Sequence, residues 1–384
     1  MARDYTAMRF RDRSGALTLN TAALEKYHDI IDLSIGDVDH VTDSEIIDAA
    51  FRDAKAGYTH YGAPKGDKEL IQAVCDSWQE DHGQKIGPEN VLITASACLG
   101  LAQVILAITD PGDEILLLSP YFTLYRQQIR LAGGVPVEVP TYPEDGYSPK
   151  MERIEAAITE KTKAIIINNP TNPTGKVYTR EELTVIAEIA KKHDLLVIAD
   201  EVYTCYVYEG EYVPVRTLPG MEDRTVTVTS FSKNFFMTGW RIGFFIASPE
   251  IVNTANMVQG MLVYSAPSIS QRAAIKALTL RKRVQETDAK LFKERVLYAT
   301  ERIQKLPYLD LCAPRGAFYL FPSSHEKGIT SKQICDSLLE QAHVLVSPGS
   351  VFGETGQGHV RIACTVEVPV LKEAFDRMER ITRL

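Results

Sequence analysis

Residues 162–203, TKAIIINNPTNPTGKVYTREELTVIAEIAKKHDLLVIADEVY, contain two short apolar runs separated by a segment with helical periodicity. The runs AIIIN and LLVIA are rich in β-branched and aliphatic residues and have the length of strands. Between them, Thr179 and Glu182 have the spacing of a capping box, which predicts a helix over residues 179–193. Apolar strands joined through a helix predict parallel strands buried on both faces of a sheet.

The same alternation of apolar runs and helical stretches extends outward along the chain. Further strand-like runs are NVLIT, EILLLSP, VPVEVP, RTVTVTS and RIGFFIAS, and a helix is expected from Ala97 to Ile108. The sequence therefore predicts an α/β fold with a largely parallel central sheet. After about Pro267 a long charged helix leads into an α+β segment. We expect a large domain of residues 45–280 and a smaller α+β domain formed by both termini, residues 1–44 and 281–384.

The length, net charge and apolar content of the chain indicate its domain number and exclude several classes of partner. A chain of 384 residues exceeds what one core usually supports, so two domains are expected. The net charge of -8 argues against nucleic acid or an anionic membrane as the main partner. The N-terminal sequence MARDYTAMRFRDRSG has no apolar segment of the signal-peptide type, and the apolar runs are too short to span a membrane. A cytoplasmic protein is expected.

Cysteine and histidine spacing bears on redox state and metals. The six cysteines include no C-x-x-C pair, so we expect reduced thiols. The eight histidines show no H-E-x-x-H pattern or other ligand spacing. We therefore expect no metal site.

Polar side chains follow the predicted strands where ligands bind in an open α/β sheet, at the carboxyl ends. The first two strands are followed by a helix start at Ala97 and Cys98 and by the aromatic Phe122. The third strand is followed by the amide Asn172, and the fourth by the carboxylate Asp200 and the phenol Tyr203. The fifth is followed by the hydroxyl of Ser230 and the amine of Lys233. Arg241 follows Lys233 eight positions later. One ligand that needs all these groups is expected at this edge.

The chemistry of these groups specifies that ligand. Helix amides, the Ser230 hydroxyl and Arg241 would bind a phosphate, and an aromatic ring would stack on a flat heterocycle. Buried Asp200 requires a partner such as a protonated ring nitrogen. A lysine withdrawn from water beside Arg241 would have a lowered pKa and attack an aldehyde. Pyridoxal 5'-phosphate meets every requirement.

The motifs NNPTNPTG, ADEVY and SFSKNFFMTGWRIG, in this order and spacing, resemble the class I/II pyridoxal-phosphate aminotransferases. These are fold-type I enzymes typified by aspartate aminotransferase. The resemblance covers essentially the whole chain and includes LSIGD, YGAPKGDKELIQA and VSPGSVFGETGQGHVRIA. It implies an enzyme that moves an amino group from an α-amino acid to a 2-oxo acid.

The resemblance also implies individual roles. Lys233 matches the lysine that forms the internal aldimine and shuttles the Cα proton, and Asp200 matches the partner of the pyridine nitrogen. Asn172 and Tyr203 match the ligands of the phenolate oxygen, and Phe122 matches the stacking aromatic. Ser230, Arg241 and the backbone of Ala97 and Cys98 match the phosphate cup.

Three further positions concern the substrate and the partner subunit. Arg361 in HVRIA matches the arginine that grips the substrate α-carboxylate, with help from the Gly36 backbone. Tyr61 matches a tyrosine that reaches the phosphate of the neighbouring subunit, which implies a homodimer with shared active sites.

The chain departs from the family pattern at the first strand end. Where some aspartate-specific members carry a lysine that reaches the distal carboxylate, this chain has Cys98. Aspartate is therefore not expected to be the preferred amino donor.

Two other functions remain open on the sequence alone. The same residues would serve a β-lyase or a cyclising enzyme, since a fold does not determine reaction type. A non-catalytic domain that senses the cofactor is a further alternative, although the acidic charge argues against a DNA-binding role.

Overall fold

A computed structural model describes residues 5–7 and 26–384. The helices with described bounds are α1 (Ser44–Lys55), α2 (Lys68–His82), α3 (Ala97–Ile108), α4 (Leu124–Leu131), α5 (Met151–Ala156), α6 (Arg180–Lys192), α7 (Phe231–Asn234), α8 (Pro249–Leu262), α9 (Ser268–Ile303), α10 (Ser331–Ala342) and α11 (Val368–Met378). The strands are β1 (Ile31–Asp32), β2 (Val91–Thr94), β3 (Glu114–Ser119), β4 (Val135–Pro140), β5 (Thr162–Asn168), β6 (Leu196–Asp200), β7 (Thr225–Ser230), β8 (Gly243–Ile246), β9 (Leu309–Asp310), β10 (Tyr319–Leu320), β11 (Ser323–Ser324), β12 (Val344–Leu345), β13 (Ser347–Pro348) and β14 (Val360–Ala363).

A seven-stranded sheet forms the centre of the molecule, with strand order β2-β8-β7-β6-β5-β3-β4. Six strands run in one direction, and β8 is antiparallel to both of its neighbours. The predicted α/β fold with a largely parallel sheet is confirmed.

Successive residues of the central strands pack into cores on opposite faces of the sheet. Ile165 of β5 belongs to the cluster that includes Leu183 and Ile186 of α6. The next residue, Ile166, belongs to the cluster on the other face, which includes Val104 of α3. Because both faces are covered, the strands are apolar throughout rather than alternating with polar residues.

Helix α6 begins where the capping box predicts. The Thr179 hydroxyl accepts from the Glu182 N–H, and the Glu182 carboxylate accepts from the Thr179 N–H at 2.8 Å. These bonds satisfy amides that have no partner within the helix. The helix start thereby fixes the end of the loop that carries Asn172.

A second group of short strands joins distant parts of the sequence. Strand β1 pairs in parallel with β12, and β14 lies between β10 and β13. Helix α9 is continuous through residue 280, where we expect the domain boundary. The division into residues 45–280 and residues 1–44 with 281–384 stays a prediction, and residues 1–4 and 8–25 lie outside the described part of the chain.

Within residues 5–7 and 26–384, no helix combines the length and the apolar character needed to cross a membrane. In the same residues, no three His, Cys, Asp or Glu side chains are grouped so that they could hold a metal ion. All six cysteines are free of disulfides.

Candidate active site

A cavity of about 890 Å³ opens at the carboxyl ends of the central strands. It is lined by most of the side chains that the sequence singles out: Gly36, Ala97, Cys98, Phe122, Asn172, Asp200, Tyr203, Ser230, Lys233, Arg241 and Arg361. The cavity therefore lies where the carboxyl ends of the central strands meet the segments around residues 36 and 361. Tyr61 is the predicted site residue outside this lining.

Asp200 ends β6 and is buried, with 4% of its surface exposed. The Tyr125 hydroxyl donates to its Oδ2 at 2.5 Å, whereas Oδ1 is buried without a hydrogen-bond partner. Burial raises the pKa of Asp200 to about 6, although hydrogen bonding from Tyr125 and from the Val202 backbone opposes this shift. A buried carboxylate oxygen without a donor has a high desolvation cost, so Oδ1 is suited to a ligand that brings a charged N–H.

Lys233 lies in α7, directly after β7, and its Nζ donates to the Gly36 carbonyl at 2.5 Å. Its pKa is lowered to about 8, mainly by burial. Asp37 opposes the shift, and Arg361 contributes more to the lowering than Arg241 does. The expected lowering is thus present, with burial as its main cause. A neutral fraction of the amine is available near pH 8 for bonding to a carbonyl carbon.

The N-terminus of α3 faces the cavity beside β8. The Ser96 side chain accepts from the Leu99 N–H and caps the helix. A Cβ at Gly243 would lie 2.7 Å from the Ala97 nitrogen, so only glycine fits the β8 start against this helix. The Ala97 amide nitrogen is thereby kept close to the strand, and Ala97 lines the cavity. Backbone N–H groups in this position bind anions.

Ser230 at the end of β7 and Arg241 in the β7–β8 connection complete this end of the cavity. Ser230 caps α7 by accepting from the Ser232 N–H at 3.0 Å. Arg241 is exposed, has a positive φ of 54°, and donates to the Thr238 carbonyl at 2.7 Å. The pKa of the Cys98 thiol is raised by burial, so Cys98 supplies no charge here. Arg241 is the cation at this end of the cavity lining.

Arg361 on β14 is 4% exposed, and its guanidinium is held by three oxygen acceptors. One Nη donates to Asn172 Oδ1 at 3.1 Å, and the other donates to the Ser34 carbonyl at 2.5 Å and to the Ser347 hydroxyl at 3.3 Å. Its Nε is buried without a partner. No carboxylate of the described residues pairs with this cation, and burial lowers its pKa. The arrangement suits an anionic ligand.

Sequence reasoning missed two tyrosines of the site. Tyr125, in the first turn of α4, lies three residues after Phe122, and the two rings pack edge to face with centroids 5.5 Å apart. Tyr319 on β10 is 2% exposed, and its hydroxyl lies 3.0 Å from that of Tyr203. The three-residue spacing from Phe122 was a usable signal that Tyr125 lies near the site, but it does not indicate the contact with Asp200. No local pattern around Tyr319 links it to Tyr203.

Tyr61 lies on the surface, with 88% of its area exposed. Its ring packs edge to face against Tyr264, with centroids 5.2 Å apart. The single chain does not bring Tyr61 to its own cavity.

Comparisons with known proteins agree with this arrangement. The family model described as "Aminotransferase class I and II" matches residues 28–378. An aspartate aminotransferase of Pyrococcus abyssi is 37% identical, with 92% of each chain covered. Aromatic-amino-acid aminotransferase 2 of Thermococcus litoralis is also 37% identical, again with 92% of each chain covered.

A solved structure agrees as well. A mutant of Thermus thermophilus aspartate aminotransferase superimposes with a TM-score of 0.93 at 33% identity, covering 98% of this chain and all of that one. The match therefore extends over the sheet, the cavity and the short C-terminal strands. The chain belongs to the class I and II aminotransferase family.

Proposed function

We propose that the cavity binds pyridoxal 5'-phosphate, an α-amino acid and a 2-oxo acid, and that the chain transfers an amino group between the two substrates. The observation that carries this proposal is the pairing of two groups in one cavity. Asp200 presents a buried oxygen without a donor, and Lys233 presents an amine with a pKa near 8. A pyridinium nitrogen and an aldehyde are the matching partners.

The other end of the cavity supports the phosphate. The amides of Ala97 and Cys98, the Ser230 hydroxyl and the Arg241 guanidinium would hold it. Phe122 would stack on the ring, and the Asn172 amide and the Tyr203 hydroxyl would bond to the ring oxygen. The side chain of Asn172 already accepts from Arg361 through Oδ1, so its Nδ2 would be the donor.

When bound, this cofactor supplies an electrophilic aldehyde and a ring that accepts electrons from the substrate Cα. Lys233 Nζ would take the proton from the Cα of the amino acid in the first half-reaction and would give a proton to the Cα of the 2-oxo acid in the second, since its lowered pKa makes it both a usable base and a usable acid. Asp200 would keep the ring nitrogen protonated through Oδ1. Arg361 would bind the α-carboxylate and so direct the Cα–H bond toward Lys233.

A second copy of the chain is part of the proposal. The ring of Tyr61 packs against that of Tyr264, which is also exposed, and Tyr58, Met257 and Met261 are further exposed apolar side chains. Exposed apolar clusters of this kind mark interfaces between proteins. In a homodimer, Tyr61 would reach the phosphate of the other subunit. We also propose the two-domain division given above and a location in the cytoplasm, which the free thiols favour.

Labelling of the cofactor site and a Lys233 variant test this function. The purified protein should be yellow, and borohydride should fix the cofactor on the peptide that contains Lys233. Lys233→Ala should retain cofactor affinity but lose transamination by several orders of magnitude, because it removes the amine that moves the Cα proton. Recovery of the label on another lysine contradicts the assignment.

The reaction type needs a separate assay. Transamination by this chain should require a 2-oxo acid acceptor in every turnover and should yield the matching pair of oxo acid and amino acid. Release of ammonia and pyruvate from a cysteine conjugate, without any acceptor, would instead identify a β-lyase. Cofactor binding without either reaction would identify the non-catalytic sensing domain.

A further inference from the structure

Tyr319 contacts three parts of the site that come from separate regions of the sequence. Its hydroxyl lies 3.0 Å from the Tyr203 hydroxyl, and its ring centroid lies 4.7 Å from the Arg361 guanidinium carbon. A Cβ at Gly36 would lie only 2.1 Å from the Tyr319 hydroxyl, so the Gly36 backbone packs directly on it. The same Gly36 carbonyl accepts from Lys233. Tyr319 is thus the common neighbour of all these groups.

The ring of Tyr319 constrains Arg361. The central carbon of the guanidinium lies 4.7 Å from the ring centroid of Tyr319 and 4.9 Å from that of Phe352. Attraction between a buried cation and ring faces fixes the plane of the guanidinium. The oxygen acceptors at Ser34 and Asn172 fix its rotation within that plane. The ring of Tyr319 therefore helps to set the orientation in which the Arg361 N–H groups meet an anion.

The hydroxyl of Tyr319 constrains Tyr203. Both tyrosines are buried, and the two rings are nearly perpendicular at 85° with centroids 5.7 Å apart. A hydroxyl has one proton to donate. If Tyr319 donates to Tyr203, the Tyr203 proton is directed to another acceptor in the cavity. The hydrogen bond between the tyrosines thus orients Tyr203.

We propose that Tyr319 is a positioning residue with two separable functions, the ring for the substrate carboxylate through Arg361 and the hydroxyl for the cofactor through Tyr203. The inference rests on the proposed function, in which Arg361 binds the carboxylate and Tyr203 bonds to the cofactor ring oxygen. A single side chain then links the two ligands of the site. Removal of its hydroxyl and removal of its ring should have different effects.

The test compares Tyr319→Phe with Tyr319→Leu in two binding measurements. The first is the dissociation constant of pyridoxal 5'-phosphate for the apoenzyme. The second is the dissociation constant of 3-phenylpropionate, a carboxylate that has no amino group to react, for the holoenzyme. Tyr319→Phe should weaken the cofactor about 3- to 10-fold and leave the carboxylate within about twofold. Tyr319→Leu should weaken the carboxylate about 3- to 30-fold as well.

A double variant separates positioning from a general structural role. In a Tyr203→Phe background, Tyr319→Phe should add less than about twofold to the loss of cofactor affinity, because the hydroxyl acts through Tyr203. Tyr308→Phe is the matched control, since it removes a buried tyrosine hydroxyl whose hydrogen-bond partner among the described residues is the Met378 carbonyl. The control should lower the melting temperature and leave both dissociation constants unchanged.

Three results would overturn the inference. They are an unchanged cofactor affinity in Tyr319→Phe, full additivity of the two phenylalanine substitutions, and equal carboxylate affinity in Tyr319→Phe and Tyr319→Leu. Failure of the proposed function has a different signature, because the unsubstituted protein would then bind no cofactor at all.

Discussion

The Tyr125 hydroxyl donates to Oδ2 of Asp200 at 2.5 Å and leaves Oδ1 without a hydrogen-bond partner. Tyr125 thereby stabilises the ionised carboxylate, and its bond opposes the rise in the Asp200 pKa that burial causes. The carboxylate has a pKa of about 6, so it is mostly ionised at pH 7.5 and mostly protonated at pH 5. The ionised form accepts a stronger, charge-assisted hydrogen bond from a protonated ring nitrogen than the neutral form does.

We therefore predict that cofactor affinity falls as the pH decreases through 6. In Tyr125→Phe the Asp200 pKa rises further, so the fall should occur about 0.5 to 1 pH unit higher. Dissociation constants measured between pH 5 and 8 give the two midpoints. In an Asp200→Asn background, Tyr125→Phe should produce no further shift. A midpoint that does not move in Tyr125→Phe would falsify the role given to this tyrosine.

Arg361 has no carboxylate partner among the described residues, which makes it the expected binder of the substrate carboxylate. Arg361→Ala should slow the half-reaction with amino acids about 30- to 1000-fold, the range for a charge-assisted bidentate contact of ~2–4 kcal/mol. Cofactor affinity should change far less. Stopped-flow spectra of the holoenzyme with phenylalanine and alanine provide the rates.

Arg361→Lys is the matched control for charge. It keeps the cation but cannot offer two parallel N–H donors, so it should recover only part of the rate. If Arg361→Ala leaves the half-reaction unchanged, another group binds the carboxylate.

Tyr61 is exposed and lies outside the cavity of its own chain, which leads to a prediction about the dimer. Tyr61→Ala should weaken the cofactor by ~1–2 kcal/mol, the loss of one bond to a charged phosphate. A heterodimer with Lys233→Ala on one chain and Tyr61→Ala on the other would then contain one intact site. At limiting cofactor it should have close to half of the wild-type activity.

The alternative gives a lower activity. If Tyr61 served its own chain, the heterodimer would contain no intact site, and its activity would not exceed half that of the Tyr61→Ala homodimer. That result, or an active monomer, would refute the shared site.

Cys98 determines the fourth prediction, which concerns the amino donor. Its thiol is neutral near pH 7 because burial raises its pKa, so this position offers no cation to a distal carboxylate. The cavity lining also includes the apolar residues Leu101, Leu345 and Val346. Aromatic and aliphatic donors should therefore react faster than aspartate in the half-reaction.

Cys98→Lys should raise the ratio of kcat/KM for aspartate over phenylalanine about tenfold or more, by adding one charge-assisted hydrogen bond. Cys98→Ala, which adds no charge, should leave that ratio close to the original. A wild-type preference for aspartate would show that another residue supplies the cation.

The sequence predicts the elements of the sheet better than the contacts between them. Runs such as AIIIN become buried strands because strand length and aliphatic content are local properties, and the bond between Thr179 and Glu182 spans only three positions. The sequence also predicts that Asp200 and Lys233 line one cavity, because the carboxyl ends of parallel strands lie on the same side of a sheet. These features need no knowledge of tertiary packing.

Pairs that are distant in sequence are the part that could not be predicted. Tyr125 and Asp200 are 75 residues apart, and Tyr203 and Tyr319 are 116 residues apart. Neither contact has a local periodicity or a cap that indicates it. The main cause of the low Lys233 pKa is likewise burial, which depends on the whole packed structure and not on the neighbouring arginine alone.

The antiparallel direction of β8 also limits how much the length of the connection between β7 and β8 can vary. Two parallel neighbouring strands are joined by a chain segment that crosses from one end of the sheet to the other. The antiparallel strands β7 and β8 are instead joined by residues 231–242 at the same end of the sheet. Lys233 and Arg241 therefore lie on one short connection anchored at both ends by strand pairing. Inserting or deleting even one residue there would change the separation of amine and guanidinium, so this connection should accept amino-acid substitutions far more readily than changes of length.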